Sequence, residues 1–181
     1  MDISRLRPFG GLHSSLLAFS TGYVFRISYW SATPTEFGAF SNVWMVTPQD
    51  RRLLFADPAK SGSVVHLYHR FDESYGATIS LRRPDPMCLH LVMQGSAATT
   101  IEINLRLGRT LLTRVLAASA RAMPLAWATK DPVAHALDAL TSMFIAKGKV
   151  KVAGKTETEE PYFAGDIDDV MLVKDGSASV N

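Results

Sequence analysis

The sequence predicts an α+β protein of mainly antiparallel β-structure, with a curved meander sheet or barrel of about eight to nine strands. Apolar and polar residues alternate over residues 76–83, 87–94 and 98–107, and this period of two is typical of half-buried strands. Short turns separate these runs, which favours pairing between consecutive strands. After residue 110 the period changes to a helical one, so two helices are expected late in the chain.

Strands preceded by an irregular arm make up the predicted N-terminal half. Pro8, Gly10 and Gly11 interrupt residues 1–14, which is why this segment is predicted as an arm. Alternating runs with aromatic and β-branched residues follow, divided by turn residues. The predicted strands are residues 15–30 (as one strand or two), 42–47, 51–55 and 64–71.

The C-terminal half is predicted to contain both helices and a last pair of strands. The helices are placed near 110–122 and 132–147, the second between Asp131, a favourable N-cap, and Gly148, a favourable stop. Residues 15–174 are thus predicted to form one domain. The remaining predictions are a hairpin of residues 149–153 and 162–173, followed by a frayed tail at 175–181.

Composition excludes several classes of protein. Hydrophobic residues make up 47% and charged residues 20% of the chain, which is ordinary for a globular domain. A net charge of +2 gives no reason to expect nucleic acid or a membrane surface as the partner. No apolar run reaches the length of a membrane span. Cys88 is the single cysteine, so an internal disulfide is excluded and a reducing, cytoplasmic location is expected.

The predicted strand 64–71 carries the residues that we expect to be catalytic. Alternation would place His66, Tyr68 and Arg70 on one face of it. Arginine clamps a carboxylate or an enolate, and histidine or tyrosine can move a proton. The alternative is an ordinary solvated strand face, which half-buried antiparallel sheets commonly have.

Four further residues are predicted to bind the ligand. Trp44 belongs to an aromatic-rich region that could line a pocket. Three basic residues on neighbouring strands would extend the polar face, and these are Arg82, His90 and Arg106. The alternative is ion pairing of the arginines with Glu102. Cys88 and His90 alone do not make a metal site, so neither a metal nor another cofactor is predicted.

The order of many antiparallel strands followed by helices resembles lipocalin-type, START-type and acetoacetate-decarboxylase-type barrels. That resemblance implies a barrel around an apolar pocket. The lysine-containing motif of the acetoacetate decarboxylases is not found in this sequence.

The leading functional hypothesis is therefore the binding of a small, mostly apolar molecule with an acidic or carbonyl group, with lyase, cyclase or isomerase chemistry as an extension. The alternative is a non-catalytic interaction or assembly protein that uses the polar sheet face or the basic region 106–155. Homo-oligomerisation is left open, and nucleic acid is a weak third choice because the basic residues are not interleaved with aromatic ones.

Overall fold

A computed structural model gives the architecture of the chain. Residues Arg7–Arg106 and Asp175–Asn181 form one compact unit, and Leu107–Lys174 belong to a second. The described residues are 7–95, 99–122, 124, 127, 130, 132–133, 136, 138–139, 153–164 and 167–181.

Strands dominate the described residues. The helical elements are a 3-10 turn at Ala59–Ser61, the short helix α1 at Gly62–His66 and the longer α2 at Leu111–Ala122. The strands are β1 (Gly10–His13), β2 (Leu17–Ala18), β3 (Val24–Ala32), β4 (Phe40–Val46), β5 (Arg52–Asp57), β6 (Glu73–Arg82), β7 (Cys88–Gly95), β8 (Thr100–Gly108), β9 (Ala153–Lys155), β10 (Pro161–Phe163) and β11 (Leu172–Val180).

Nine of these strands form one curved, mainly antiparallel sheet, which confirms the predicted fold class. The order along the sheet is β1-β3-β4-β5-β6-β7-β8-β11, with β2 paired to β3. The pair β5 and β6 is parallel, so the chain departs from a simple meander there. A parallel neighbour needs a crossover connection, and residues 58–72 supply it.

One face of the sheet, here the inner face, carries the main core. Strands β3, β4, β5, β7 and β8 each contribute side chains to this face that are fully or almost fully buried. None of the following is more than 6% exposed: Phe25, Ile27, Val43, Met45, Phe55, Leu89, Leu91, Met93, Ile101, Ile103 and Leu105. Because the inner face is buried along these strands, differences in solvent exposure along the sheet are found on the opposite, outer face.

The crossover between β5 and β6 corrects the predicted strand at 64–71. Residues 62–66 form helix α1, followed by a turn and an irregular segment. Val64 and Val65 are adjacent and both buried, which a helix end can achieve but a half-buried strand cannot. His66, Tyr68 and Arg70 therefore do not share a strand face.

Both ends of the described chain also differ from the expectation. Gly10–His13 is strand β1 rather than part of an irregular arm, and Leu172–Val180 is strand β11 rather than a frayed tail. Each pairs with a strand that does not directly follow or precede it in the sequence, β1 with β3 and β11 with β8. A strand that pairs in this way has no hairpin pattern in the sequence around it.

The predictions for the late elements have mixed outcomes. Helix α2 at Leu111–Ala122 confirms the helix expected near 110–122. Most of the helix predicted at 132–147 lies outside the described residues, although the five that are described there are helical. The last hairpin is formed by β9 and β10, but the strand expected at 162–173 is shorter, since β10 ends at Phe163 and residues 172–173 belong to β11. Residues 149–152 lie outside the described part. Among the described residues, no helix has the length and apolar character that crossing a membrane requires.

Candidate functional site

The outer face of strands β3, β4 and β5 is a mixed polar and aromatic surface. Cross-strand register pairs Arg26 with Trp44 and Ser28 with Asn42. Leu54 of β5 continues the row beside Trp44. Because directly paired residues point to the same side of a sheet, these side chains form one patch. We call it the covered half of the outer face, since other segments pack on it.

The cover comes from the crossover segment and from residues before β1. Val64 and Val65 of α1 pack with Phe40 and Leu54 into a small buried cluster. Partly buried aromatic side chains surround that cluster and leave some of their apolar surface accessible. They are Phe9, Trp30, Phe37, Trp44, Tyr68 and Phe71.

Trp44 is the centre of the ring contacts on this half. The rings of His69 and Phe71 lie 4.3 Å and 5.1 Å from it, both edge-on. The guanidinium carbon of Arg26 lies 4.4 Å from the centre of the Trp44 ring, a cation–π distance. The indole is thus held between a cation from its own sheet and two rings from the crossover.

A hydrogen-bonded row runs from Arg26 through His13 to Ser28. Arg26 Nε donates to His13 Nε2 at 2.8 Å. His13 Nδ1 lies 2.8 Å from Ser28 Oγ. Strand β1 brings His13 into this position, because its register places His13 opposite Ser28 of β3.

His13 is neutral at neutral pH. Desolvation of the ring, followed by the positive charge of Arg26 and then His69, lowers the pKa of His13 to about 3. His13 is nevertheless an exposed residue by surface area, so the hydrogen bond is the firmer reason for its neutrality. Arginine only donates, so Nε2 must hold a lone pair to accept from it, and an imidazolium has none.

Two polar atoms of the covered half lack a hydrogen-bond partner within the described residues. They are Oδ1 of Asn42 and Nε1 of Trp44, and both atoms are buried. Asn42 is only 2% exposed. A buried polar group without a partner costs about 1–3 kcal/mol, so native structures contain few of them. A donor and an acceptor left open on one row of β4 are the strongest sign of a ligand site here.

The predicted site residues divide between regions. Trp44 and Tyr68 lie in the same aromatic cluster on the covered half. His66 is exposed at the end of α1, and its Nε2 lies 2.6 Å from Ser74 Oγ. Arg70 is exposed in the irregular segment after the turn. The arginine beside Trp44 is Arg26.

Arg82, His90 and Arg106 lie farther along the same outer face, on strands β6 to β8. We call this part the exposed half. Arg82 pairs with His90 in register, and Arg106 pairs with Cys88. Both arginines are exposed. These three residues therefore lie on an open strand face, whereas Trp44 lies on the covered half.

On the exposed half, neighbouring polar side chains form hydrogen bonds with one another. Glu102 Oε1 accepts from Asn104 Nδ2 at 3.1 Å and lies 3.2 Å from His90 Nε2. The hydrogen bonds from Asn104 and then His90 lower the pKa of Glu102. The sequence predicted Arg82 or Arg106 as the partner of Glu102, and the structure instead brings Asn104 and His90 to it.

Cys88 is a weak candidate for a nucleophile. A hydrogen bond to the carboxylate of Asp85 raises the pKa of the Cys88 thiol above its ordinary value. The protonated thiol is the less reactive form.

Sequence reasoning missed His13, Arg26, Ser28, Asn42 and His69. A usable signal existed for the polar residues among them. Arg26 and Ser28 share one face of β3, and Asn42 shares a face of β4 with Phe40 and Trp44. Polar residues at matching places on two adjacent strands indicate a polar row. His13 and His69 carry no such signal, because distant segments bring them in.

Comparison with known proteins adds no further assignment. The chain matches no protein-family model, and its comparison with curated proteins and with solved structures gives no significant match. The likeness to the three barrel families therefore rests on element order alone. In the described part of the chain, no group of three or more histidine, cysteine, aspartate or glutamate side chains is placed to hold a metal ion.

Proposed function

We propose that this protein binds a small, mostly apolar molecule with a carbonyl or acidic group on the covered half of the outer face. The observation that carries the proposal is the pair of buried, unpartnered atoms on β4, Asn42 Oδ1 and Trp44 Nε1, among the residues that the structure describes. A ligand that satisfies both recovers part of the free energy lost by burying them.

The surroundings of these atoms suit such a molecule. Aromatic side chains with partly accessible surface, such as Tyr68 and Phe71, would contact its apolar body. Trp44 Nε1–H would donate to a carbonyl or carboxyl oxygen. Arg26 adds a fixed positive charge beside the indole.

The proposal is for binding, and it does not include the expected proton-transfer chemistry. Both nitrogens of His13 are engaged, one by Arg26 and one by Ser28. His66 and Arg70, expected to be catalytic, are exposed. The ring of His66 contacts Phe71 at 5.6 Å, whereas the ring contacts of Trp44 on this half are with His69 and Phe71. Cys88, as the single cysteine, supports a reducing, cytoplasmic setting for the protein.

The experiment is an NMR titration that follows the tryptophan indole N–H signals. Benzamide, acetophenone and benzoate serve as probes, since each joins one ring to a different polar group. The chain has three tryptophans, and Trp44→Phe and Trp127→Phe assign their signals. Trp127 is 64% exposed and lies outside the unit that holds Trp44, so it is the matched control.

We expect at least one probe to shift the Trp44 signal saturably while the Trp127 signal stays in place. If all three probes leave the Trp44 signal unchanged, or move every indole signal alike, the site proposal is wrong. Native mass spectrometry of freshly purified protein provides a second test. A released small molecule should be present with wild-type protein and depleted with the Asn42→Leu variant.

A further inference from the structure

The geometry points to a more specific ligand: a neutral group in which a carbonyl oxygen is joined to an N–H or O–H donor, as in a primary carboxamide. This inference rests on the proposed function and narrows it. The covered half presents two hydrogen-bond donors and one acceptor, and their order follows from the residues of β1, β3 and β4.

The first donor is the Ser28 hydroxyl. The hydrogen bonds that run from Arg26 through His13 to Ser28 determine where its proton points. Arg26 occupies the Nε2 lone pair of His13, so the proton of the neutral ring lies on Nδ1. His13 Nδ1–H then donates to Ser28 Oγ. Since its oxygen accepts from His13, the Ser28 hydroxyl directs its own proton elsewhere.

The acceptor lies directly across from Ser28. Ser28 and Asn42 are paired in register, and each is only 2% exposed. Asn42 Oδ1 accepts from no group in the described part of the chain. A ligand group that contacts both side chains would therefore accept from Ser28 and donate to Asn42.

The second donor is Trp44 Nε1–H, two residues along β4 on the same face. Like the Ser28 hydroxyl, it needs an acceptor. A carboxamide provides a carbonyl oxygen for these donors and an N–H for Asn42 Oδ1. A carboxylate has acceptors only, so it would leave Asn42 Oδ1 unsatisfied and place a negative charge against it.

Arg26 is the feature that would favour a carboxylate instead. Its Nε is bonded to His13, and its guanidinium lies over the Trp44 ring. These contacts use part of its capacity to bind an anion, and the desolvated acceptor of Asn42 opposes one. The balance therefore favours the neutral ligand.

Affinities of benzamide, acetophenone and benzoate test this inference directly. Benzamide and acetophenone have nearly the same shape, and only benzamide carries an N–H donor. We expect benzamide to bind at least about fivefold more tightly than acetophenone, because one buried acceptor is satisfied in one complex and not in the other. Benzoate should bind more weakly than benzamide.

Two variants separate the roles of the polar groups. Asn42→Leu should remove the preference for benzamide over acetophenone, whereas Asn104→Leu on the exposed half should keep it. Ser28→Ala should weaken both ligands alike. Equal binding of benzamide and acetophenone to wild-type protein, or tighter binding of benzoate, overturns the carboxamide inference while leaving the proposed function standing. Binding by none of the three overturns both.

Discussion

The two halves of the outer sheet face show how differently one alternating pattern can be used. Asn42 on β4 and Asn104 on β8 both occupy polar positions of this face. Asn104 is exposed and donates to Glu102 at 3.1 Å. Asn42 is 2% exposed, and its Oδ1 has no partner among the described side chains and backbone groups. The residue type is the same, and the covering segment makes the difference.

Alternation of polar and apolar residues identifies a polar sheet face, but it does not show whether other segments cover that face. Water and neighbouring side chains satisfy the exposed half, which is the ordinary state of an antiparallel sheet. On the covered half, Ser28 and Asn42 are buried, so their polar atoms need a protein or ligand partner. The predictions below test this contrast.

The largest loss of stability is expected from a substitution at Gly11, where β1 approaches β3. A Cβ atom there would lie 2.0 Å from the backbone oxygen of Tyr29, and the φ angle of +155° is one that side chains rarely adopt. Gly11→Ala should therefore reduce the free energy of unfolding by roughly 2–3 kcal/mol and displace His13. Gly10→Ala is the control, because its Cβ would meet only Ala32 at 3.6 Å. Equal stability of the two variants in urea unfolding would contradict the tight register.

A smaller effect is expected where the crossover lies against β6. A Cβ atom on Gly76 would come within 2.8 Å of Ala59 Cβ. Gly76→Ala should cost roughly 1–2 kcal/mol of unfolding free energy. Adding Ala59→Gly should recover part of that cost, and a double-mutant cycle measures the coupling. Strictly additive effects would show that the covering segment does not lie where described.

The free energy of unfolding at acidic pH should show whether His13 is neutral in the folded protein. Its folded-state pKa of about 3 lies below the ordinary value of 6.5. The unfolded chain therefore binds the proton first, and stability is lost as the pH falls from about 6.5 towards 3. His13→Gln should lack this contribution, so the difference between variant and wild type should change with pH below 6.5 and stay constant above 7. Parallel stability curves from pH 7 to 5 would refute a neutral His13.

The smallest effect is expected on the exposed half. Glu102 contacts His90 and Asn104 in solvent, and its side chain is 50% exposed. Glu102→Ala should change the free energy of unfolding by no more than about 0.5 kcal/mol, with little dependence on salt. A loss above about 2 kcal/mol would mean that this half is covered as well.

The sequence predicted the strands whose burial alternates cleanly. Strands β6, β7 and β8 lie within a few residues of their expected positions, and in β7 and β8 buried positions alternate with more open ones. The segment 64–71 misled the prediction because it is rich in residues favourable for strands, although two adjacent valines are buried. Strand β11 was missed because its partner β8 is distant in sequence, and β1 was missed because Gly10 and Gly11 favour a loop.

The candidate site was predictable only in part. Trp44 and Tyr68 were expected to be functional, and both belong to the aromatic cluster of the covered half. Their roles stay proposals. The polar row depends on the register between β1, β3 and β4, which pairs His13 with Ser28 and Ser28 with Asn42. Spacing places Arg26 and Ser28 on one face of β3, but register is a property of the assembled sheet, so spacing alone could not place His13 and Asn42 beside them.

The unfolding free energies of wild type and Asn42→Leu, each measured with and without benzamide, test whether Asn42 belongs to a ligand site. Without benzamide, the variant should be more stable by about 1–2 kcal/mol, since it buries no unpartnered acceptor. With benzamide, wild type should gain more stability than the variant, which keeps only the contacts that acetophenone also makes. A destabilised variant together with a wild-type protein that gains nothing from benzamide would contradict the account, because Asn42 would then be a structural residue.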